Sequence, residues 1–587
     1  MPKPSVSSSA KTAEPQQARR QRQRVSVTRR IVIADVQPHV ENGRYPVRRI
    51  VGDTATVSAE VLCDGGATLR ACILYRPPGE SRWRPAPMQP DEITSPENRL
   101  ALKAGAPHRW RGLLRLQHGG MTQFCIEAWI DVFATWVSTA QGAAAKQESA
   151  ALDAELVADG QRILDSAMTR AAGADLKLLA ECRESLQEHA RSTESMQRWF
   201  RNRDLHKRML VHGERRHVVR SEPVLSIEAA RRRAVFVTGY HASDSDKMTE
   251  QTTREIRQMG AEFVRVPAGA APVEWPSGID RAEALTLPRS PVADWLHQHP
   301  QWYSSSPLAG GNSAVALLDF WCEQRDALWD ACLASMQARV RQGVSVFVAT
   351  QPAQVPFPFW EWVIRRIREL HPEVLFISGP VAGSRARALS RVGFSQVQVA
   401  WEASLQQALK GVEDLQRCRD DEWRPFVEVP ATAPKAAVAA ELPLVQLLAA
   451  TACASFGIRG ALQKPTDLAW LRLLNQLRQD NRALQINGNL QLLSVTSQSV
   501  MAFHRTAPQG RNDVIVIVNR NPQESSEAQV RLPEIHQEAH DERSIELEDL
   551  LDGQRYTWNV GDNYVRLGPG LRQAHVLRVV RRSRLFG

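Results

Sequence analysis

Between residues 230 and 455 the chain alternates short apolar runs with amphipathic segments of helical length, and this alternation limits the fold more than any other feature. Ala234-Val-Phe-Val-Thr238, Phe263-Val-Arg-Val266, Val344-Ser-Val-Phe-Val-Ala349 and Val374-Leu-Phe-Ile377 each read as a buried strand. The segment 355–371, Val-Pro-Phe-Pro-Phe-Trp-Glu-Trp-Val-Ile-Arg-Arg-Ile-Arg-Glu-Leu-His, reads as a helix that stops at His371-Pro372. Strands that alternate with helices form parallel sheets, because each crossover covers the face of the sheet it has left. A barrel of eight such units typically takes about 250 residues, so this one stands at the small end, and trimmed loops or whole strands are expected.

The flanks differ. Thr54-Ala-Thr-Val-Ser-Ala-Glu-Val-Leu62 alternates apolar and polar residues and breaks at Asp64-Gly65-Gly66. Ala71–Tyr75 and Phe124–Asp131 follow the same pattern, so residues 31–143 read as a β-sandwich. Across 144–212, Leu152, Leu156, Ile163 and Leu164, then Leu176, Leu178, Leu179 and Leu186, recur at helical spacing among charges, which predicts two or three amphipathic helices. Arg472–Leu484 reads as a helix. Beyond 485 the pattern returns to strands, with Asp513–Asn519 apolar and Tyr556–Trp558 and Asn563–Leu567 resembling hairpin strands.

Charge and cysteine usage exclude several classes. Eight of the first 30 residues are Lys or Arg against the single Glu14, which supplies +7 of the formal net charge of +10. Residues 1–30 read as a disordered basic tail, with docking to an acidic partner as the alternative, and no nucleic-acid motif accompanies them. No stretch of about 20 apolar residues marks a membrane span, and the charged start lacks the apolar core of a secretory signal. The eight cysteines are scattered without CxxC or metal-ligand spacing, so no cofactor or metal is expected and a cytoplasmic setting is.

Several longer stretches resemble one family. Asn42-Gly-Arg-Tyr-Pro-Val-Arg-Arg-Ile-Val-Gly-Asp53, Tyr75-Arg-Pro-Pro-Gly-Glu80, Arg109-Trp-Arg-Gly112, Glu127–Trp136 and the run Pro356-Phe-Pro-Phe-Trp-Glu-Trp362 are similar to the maltose-1-phosphate maltosyltransferases of the α-amylase superfamily. The resemblance implies a multidomain α+β chain. It comprises a tail (1–30), an N-terminal β-sandwich (31–143) with a helical insertion (144–212), a reduced amylase-type (β/α)8 barrel (213–484) and a C-terminal β-sandwich (485–587). In the family the helical insertion helps form a dimer; a helical spacer packed on its neighbours is the plain alternative.

Retaining glycosyl transfer requires a carboxylate nucleophile and a second carboxylic acid that serves in turn as acid and base. The family writes its nucleophile strand Arg-Val-Asp-Asn-Pro-His ahead of the PFPFWEW run. Counting back from Pro356 puts Val348 at the Arg, Thr350 at the Asp and Ala353 at the His, with Pro352 retained. The acid/base glutamate falls on Gly379. A third carboxylate, in a run written Asn-Thr-Pro-Asp, falls on Ala431 of Phe426-Val-Glu-Val-Pro-Ala431. The phosphate-binding Lys-Lys-Tyr that follows a His-Pro-Glu-Trp-Phe motif is absent after His299-Pro-Gln-Trp-Tyr303, and the stretch from Val266 to Trp295 is short enough to have lost strands.

Other constellations have plain readings. His241 precedes Asp244 and Asp246 in a polar loop, Glu361 lies within the PFPFWEW helix, and Glu402 stands near a strand end. Trp295, Trp302 and Tyr303 offer faces for a sugar ring, although core packing is the commoner use of tryptophan. Two functions follow. One is a catalytically inactive relative that binds α-glucan or maltose-1-phosphate, or pairs as a homodimer or with an active homologue. The other is an active maltosyltransferase working through displaced residues. The missing carboxylates favour the first.

Overall fold

The computed structural model describes residues 30–91, 108–146, 152–230, 236–241, 250–266, 275–289, 292, 294–306, 315–381, 383–399, 401, 404–418, 424–433, 439–460, 465–507, 512–532, 544–569 and 572–580. The basic tail up to residue 29, the acidic loop 242–246 and Glu402 lie outside them. The chain divides into two compact units, one of residues up to Pro46 with Gly52–Ile227, the other of Val47–Val51 with Glu228–Gly587.

In the first unit, antiparallel strands join in one hydrogen-bonded path: Ile31–Gln37, Thr54–Cys63, His108–Arg115, Arg84–Pro90, Leu69–Arg76 and Gly120–Asp131. Thr54–Cys63 earns its place by alternation: Ala55, Val57, Ala59 and Val61 are buried while Thr54 and Thr56 are exposed. The helical region holds more helices than its leucine spacing predicts. Val132–Lys146 leads directly off the last strand, and Ala154–Met168, Gly173–His189, Thr193–Phe200 and Arg203–His212 follow. The extra boundaries come from caps that hydrophobic spacing does not reveal. Asp153 accepts from Glu155 N, and Asn202 accepts from both Asp204 N and Leu205 N. Phe133, Trp136, Trp199 and Phe200 form the centre of this helical core, with ring centroids 5.8–6.4 Å apart among the contacting pairs.

The second unit contains a closed barrel of eight parallel strands: Thr238–His241, Phe263–Val266, Asp280–Leu285, Val344–Ala349, Leu375–Ser378, Gln396–Val399, Pro425–Pro430 and Ser455–Arg459. No strand of the eight is missing, which corrects the expectation drawn from the short stretch after Val266. The third strand, Asp280-Arg-Ala-Glu-Ala-Leu285, hides from hydrophobic pattern reading because two of its buried positions are charged. Glu283 is 2% exposed and sits 2.7 Å from Arg281 and 3.5 Å from Arg339 of the helix Arg325–Arg341. A buried carboxylate is tolerated only when paired in this way.

Barrel closure is reinforced from outside. Arg478, on the helix Pro465–Asp480, donates to Thr238 Oγ1 at 2.6 Å on the first strand and to the carbonyl of Ala454, just before the eighth. Its guanidinium also lies 4.6 Å from the Phe236 ring and 4.5 Å from the Phe456 ring. Burial pushes its pKa down to about 9. Inside, Phe263 and Phe426 plug the floor with centroids 6.2 Å apart. Two neighbouring positions are glycine to leave room: a Cβ on Gly239 would stand 2.3 Å from Phe263 Cζ, and one on Gly457 2.6 Å from Phe426 Cζ.

After the barrel come a six-stranded antiparallel sheet and a two-stranded sheet that shares its core. Tyr556–Trp558 and Asn563–Leu567 do not pair with each other. The first belongs to Arg555–Asn559, which pairs with Ser544–Asp549, and the second to Gly561–Leu567, which pairs with Ser526–Leu532. Gly561, at φ +108, lets the chain pass from one sheet to the other.

Candidate functional site

Side chains at the C-terminal ends of barrel strands converge, because every parallel strand opens onto the same rim. Thr350 directly follows the fourth strand, Gly379 the fifth and Ala431 the seventh. The three sequence positions therefore reach one rim, and none brings an acid. Thr350 is exposed, with its N–H donating to Leu285 O at 2.9 Å and its hydroxyl to the same carbonyl at 3.2 Å. Gly379 is buried, and its N–H donates to Ala349 O at 2.5 Å. A Cβ there would lie 2.6 Å from Thr350 O and 2.8 Å from Ala349 O. The fifth position thus lacks a carboxylate and also lacks space for a side chain. Ala431 is 2% exposed and its N–H donates to Arg459 O at 2.8 Å.

The other side of the lumen is polar. Glu428, on the seventh strand, accepts at Oε1 from His241 Nδ1 on the first strand, 3.0 Å away. Its Oε2 accepts from Gln398 Nε2 on the sixth strand at 3.1 Å and lies 3.6 Å from Arg265 Nη1 on the second. Strands one and two do not neighbour strand seven, so the contacts to His241 and Arg265 run across the lumen and Glu428 faces inward. Burial by itself raises the Glu428 pKa. The His241 hydrogen bond and the positive charges of Arg265 and Arg459 outweigh it and hold the carboxyl below its ordinary value. Burial, opposed by Glu428 and aided by nearby Arg459, lowers the Arg265 pKa.

Pattern reading missed this cluster, although a signal was present. In Phe426-Val-Glu428 and Phe263-Val-Arg265 the charged residue shares its strand face with the phenylalanine that plugs the floor. His241 ends the first strand and looks toward Glu428. Glu361 points away from the rim: it accepts from Arg365 at 2.9 Å on a solvent-facing helix surface. Trp295 and Trp302 are 9% and 4% exposed and pack edge to face at 5.4 Å, with His299 stacked on Trp302 at 3.9 Å. Their faces are taken, so they offer none to a sugar. Trp321, which pattern reading passed over, is 60% exposed. A hollow of about 540 Å3 lies off the fifth and sixth strands, lined among others by Val381, Arg387, Val399, Trp401 and Lys410. Among the described residues no group of acidic, histidine or cysteine side chains is arranged to hold a metal ion.

In chain order a strand-and-helix unit, a closed parallel barrel and a C-terminal antiparallel domain follow one another. Residues 29–231 match the family model described as "Alpha-1,4-glucan:maltose-1-phosphate maltosyltransferase, domain N/S", and 492–579 match "GLGE, C-terminal". The alpha-1,4-glucan:maltose-1-phosphate maltosyltransferase of Chlorobaculum tepidum is 23% identical over 666 aligned positions, covering 94% of this chain and 96% of that protein. The enzyme of that name from Pseudomonas aeruginosa is 26% identical, covering 92% and 95%. Among solved structures, an alpha-amylase from Geobacillus thermoleovorans complexed with acarbose superposes with a TM-score of 0.46 at 11% identity, over 59% of this chain and 99% of that one. The chain is a relative of the alpha-1,4-glucan:maltose-1-phosphate maltosyltransferases and carries that family's N/S and C-terminal domains. The 666 aligned positions exceed the 587 residues of this chain, so the Chlorobaculum relative has segments that this chain lacks.

Proposed function

We propose that this chain is a maltosyltransferase-like protein of α-glucan metabolism that has lost catalysis and acts by binding glucan or by pairing, with itself or with an active homologue. The observation that carries the proposal is the Gly379 position. Its backbone closes on the end of the fourth strand so tightly that no acid side chain fits without moving main chain. Thr350 and Ala431 at the other two positions agree with it. Glycosyl transfer with retention needs two carboxyl groups about 5–5.5 Å apart. Among the described residues the lumen presents Glu428, both of whose oxygens already have partners.

In this reading the five-part organisation of the chain follows that of its relatives, and the helical segment 144–212 supplies the pairing surface. Its setting is the cytoplasm, where unpaired cysteines such as the buried Cys332 and Cys453 stay reduced. The test is phosphate release from maltose-1-phosphate with maltohexaose as acceptor, beside an active relative. No release above background is expected. Release that survives Thr350→Ala but disappears in Glu428→Gln would overturn the proposal and identify a displaced nucleophile.

A further inference from the structure

Far along the chain from the barrel mouth, the C-terminal strands enclose a second hollow, of about 250 Å3. It arises from unequal layers. Arg555–Asn559 is the last strand of the six-stranded sheet, and the facing sheet has two strands. Tyr556 and Trp558 point to the inner side of that last strand and pack against the shared core, while Arg555, Thr557 and Asn559 are exposed. The two-stranded layer leaves both rings half covered. Tyr564, 56% exposed, with Arg566, Arg572 and His575, completes the wall.

The charges around the hollow are already matched. Arg572 lies 2.5 Å from Asp549 and also pairs with Asp552, Arg566 lies 3.4 Å from Glu527, and His575 Nδ1 lies 2.8 Å from Asp549. An anion would find no uncompensated cation here. What remains is the half-covered ring of Trp558, the ring of Tyr556, which packs against His575 at 5.7 Å and Arg572 at 6.0 Å, a third exposed ring and a rim of hydrogen-bonding groups, the combination that suits a neutral, polyhydroxylated ring. The indole N–H of Trp558 has no acceptor among the described residues.

We propose that this hollow is a binding site for a glucosyl unit of an α-glucan chain, with Tyr556 and Trp558 beneath the sugar ring and the Arg572–His575 rim at its hydroxyls. The choice of α-glucan over another polyol rests on the reading of the chain as a protein of α-glucan metabolism. The site is a handle on the polymer, separate from any chemistry at the barrel.

Native electrophoresis of the full chain through gels containing amylopectin tests it. Retardation is expected for the wild type and for Glu428→Gln. In Tyr556→Ala/Trp558→Ala the apparent affinity is expected to fall about tenfold or more, as for two lost ring contacts. Trp558→Phe, which keeps a ring, recovers most of it. Should the double variant fail to fold by circular dichroism, Tyr564→Ala reads the same site from an exposed position, with about a threefold loss expected. An unretarded wild type overturns the proposal, as does a folded double variant, or Tyr564→Ala in its place, that binds as tightly as the wild type. The phosphate-release assay on the same preparations separates the two readings. Transfer by the wild type removes the inactivity reading and leaves this site standing, while no transfer with no retardation removes this site alone.

Discussion

The two halves of the barrel lumen have diverged. From the third strand to the fifth, the inward wall is Ala282, Val346, Val348, Leu375 and Ile377, closed at the rim by Thr350 and Gly379. From the sixth strand round to the second, the wall carries Gln398, Glu428, Arg459, His241 and Arg265. The apolar half ends at Thr350 and Gly379, the positions where the sequence resemblance leads one to expect a nucleophile and an acid/base, and it is filled as a core is filled. The polar half keeps a buried ion cluster, which is costly to desolvate and is tolerated because each member has partners. A barrel needs a packed interior to stay closed, and that demand is met whether or not its rim is reactive.

Breaking the polar half should have the largest effect. Glu428→Ala leaves Arg265 and His241 facing each other without their counter-charge. A loss of roughly 3–5 kcal/mol in urea unfolding is expected, the range for removing one partner of a buried pair. Replacement of Glu428 by Leu together with Arg265 by Met should cost much less, and an equal cost would show that the cluster is not acting as a pair.

The apolar half is sensitive to volume. Gly379→Ala drives a methyl group toward Thr350 O and Ala349 O and should cost about 1–3 kcal/mol, as overpacking does. Gly379→Glu should cost at least as much and restore no phosphate release. A stable, active Gly379→Glu protein would contradict the division drawn between the two halves.

Acid sharpens the contrast. The Glu428 carboxyl titrates below its ordinary value of 4.5, so the stability it contributes is fully present above that pH and is lost as pH falls through the lower folded-state value. Asp549, held down against burial chiefly by its His575 hydrogen bond, adds a loss of the same sign in the C-terminal sheets. Thermal unfolding from pH 7 to pH 3 should therefore show a steep acid limb that flattens in Glu428→Gln. The smallest effect is expected from Thr350→Asp, at an exposed position, with stability within about 0.5 kcal/mol of wild type. No transfer activity is expected from it, because no acid stands opposite.

Much of the fold was legible. The apolar strands Val344–Ala349 and Phe263–Val266 and the helix after Pro356 stand where their patterns placed them, because burial on both faces leaves a nearly continuous apolar run. The strands that escaped, Asp280–Leu285, Gln396–Val399, Pro425–Pro430 and Ser455–Arg459, carry polar or charged residues at buried positions. Hydrophobic periodicity is blind to a charge neutralised by a residue from another element, such as Arg339 against Glu283. The candidate site divides in the same way. Thr350 follows from counting back from Pro356, and Gly379 and Ala431 from matching their own segments to the family's, whereas the Glu428 cluster draws on four strands spread over more than 180 residues of chain.

The sequence by itself determined the alternating barrel, the strand-rich flanks, the resemblance to the maltosyltransferases and the absence of acids at three positions, all properties of residues read in order. Only the tertiary structure decided that eight strands close despite the short connections, that Gly379 has no room for a side chain, and that Glu428 meets Arg265 and His241 across the lumen. Those facts depend on distances between residues far apart in the chain, which are set when the sheet closes and the core packs.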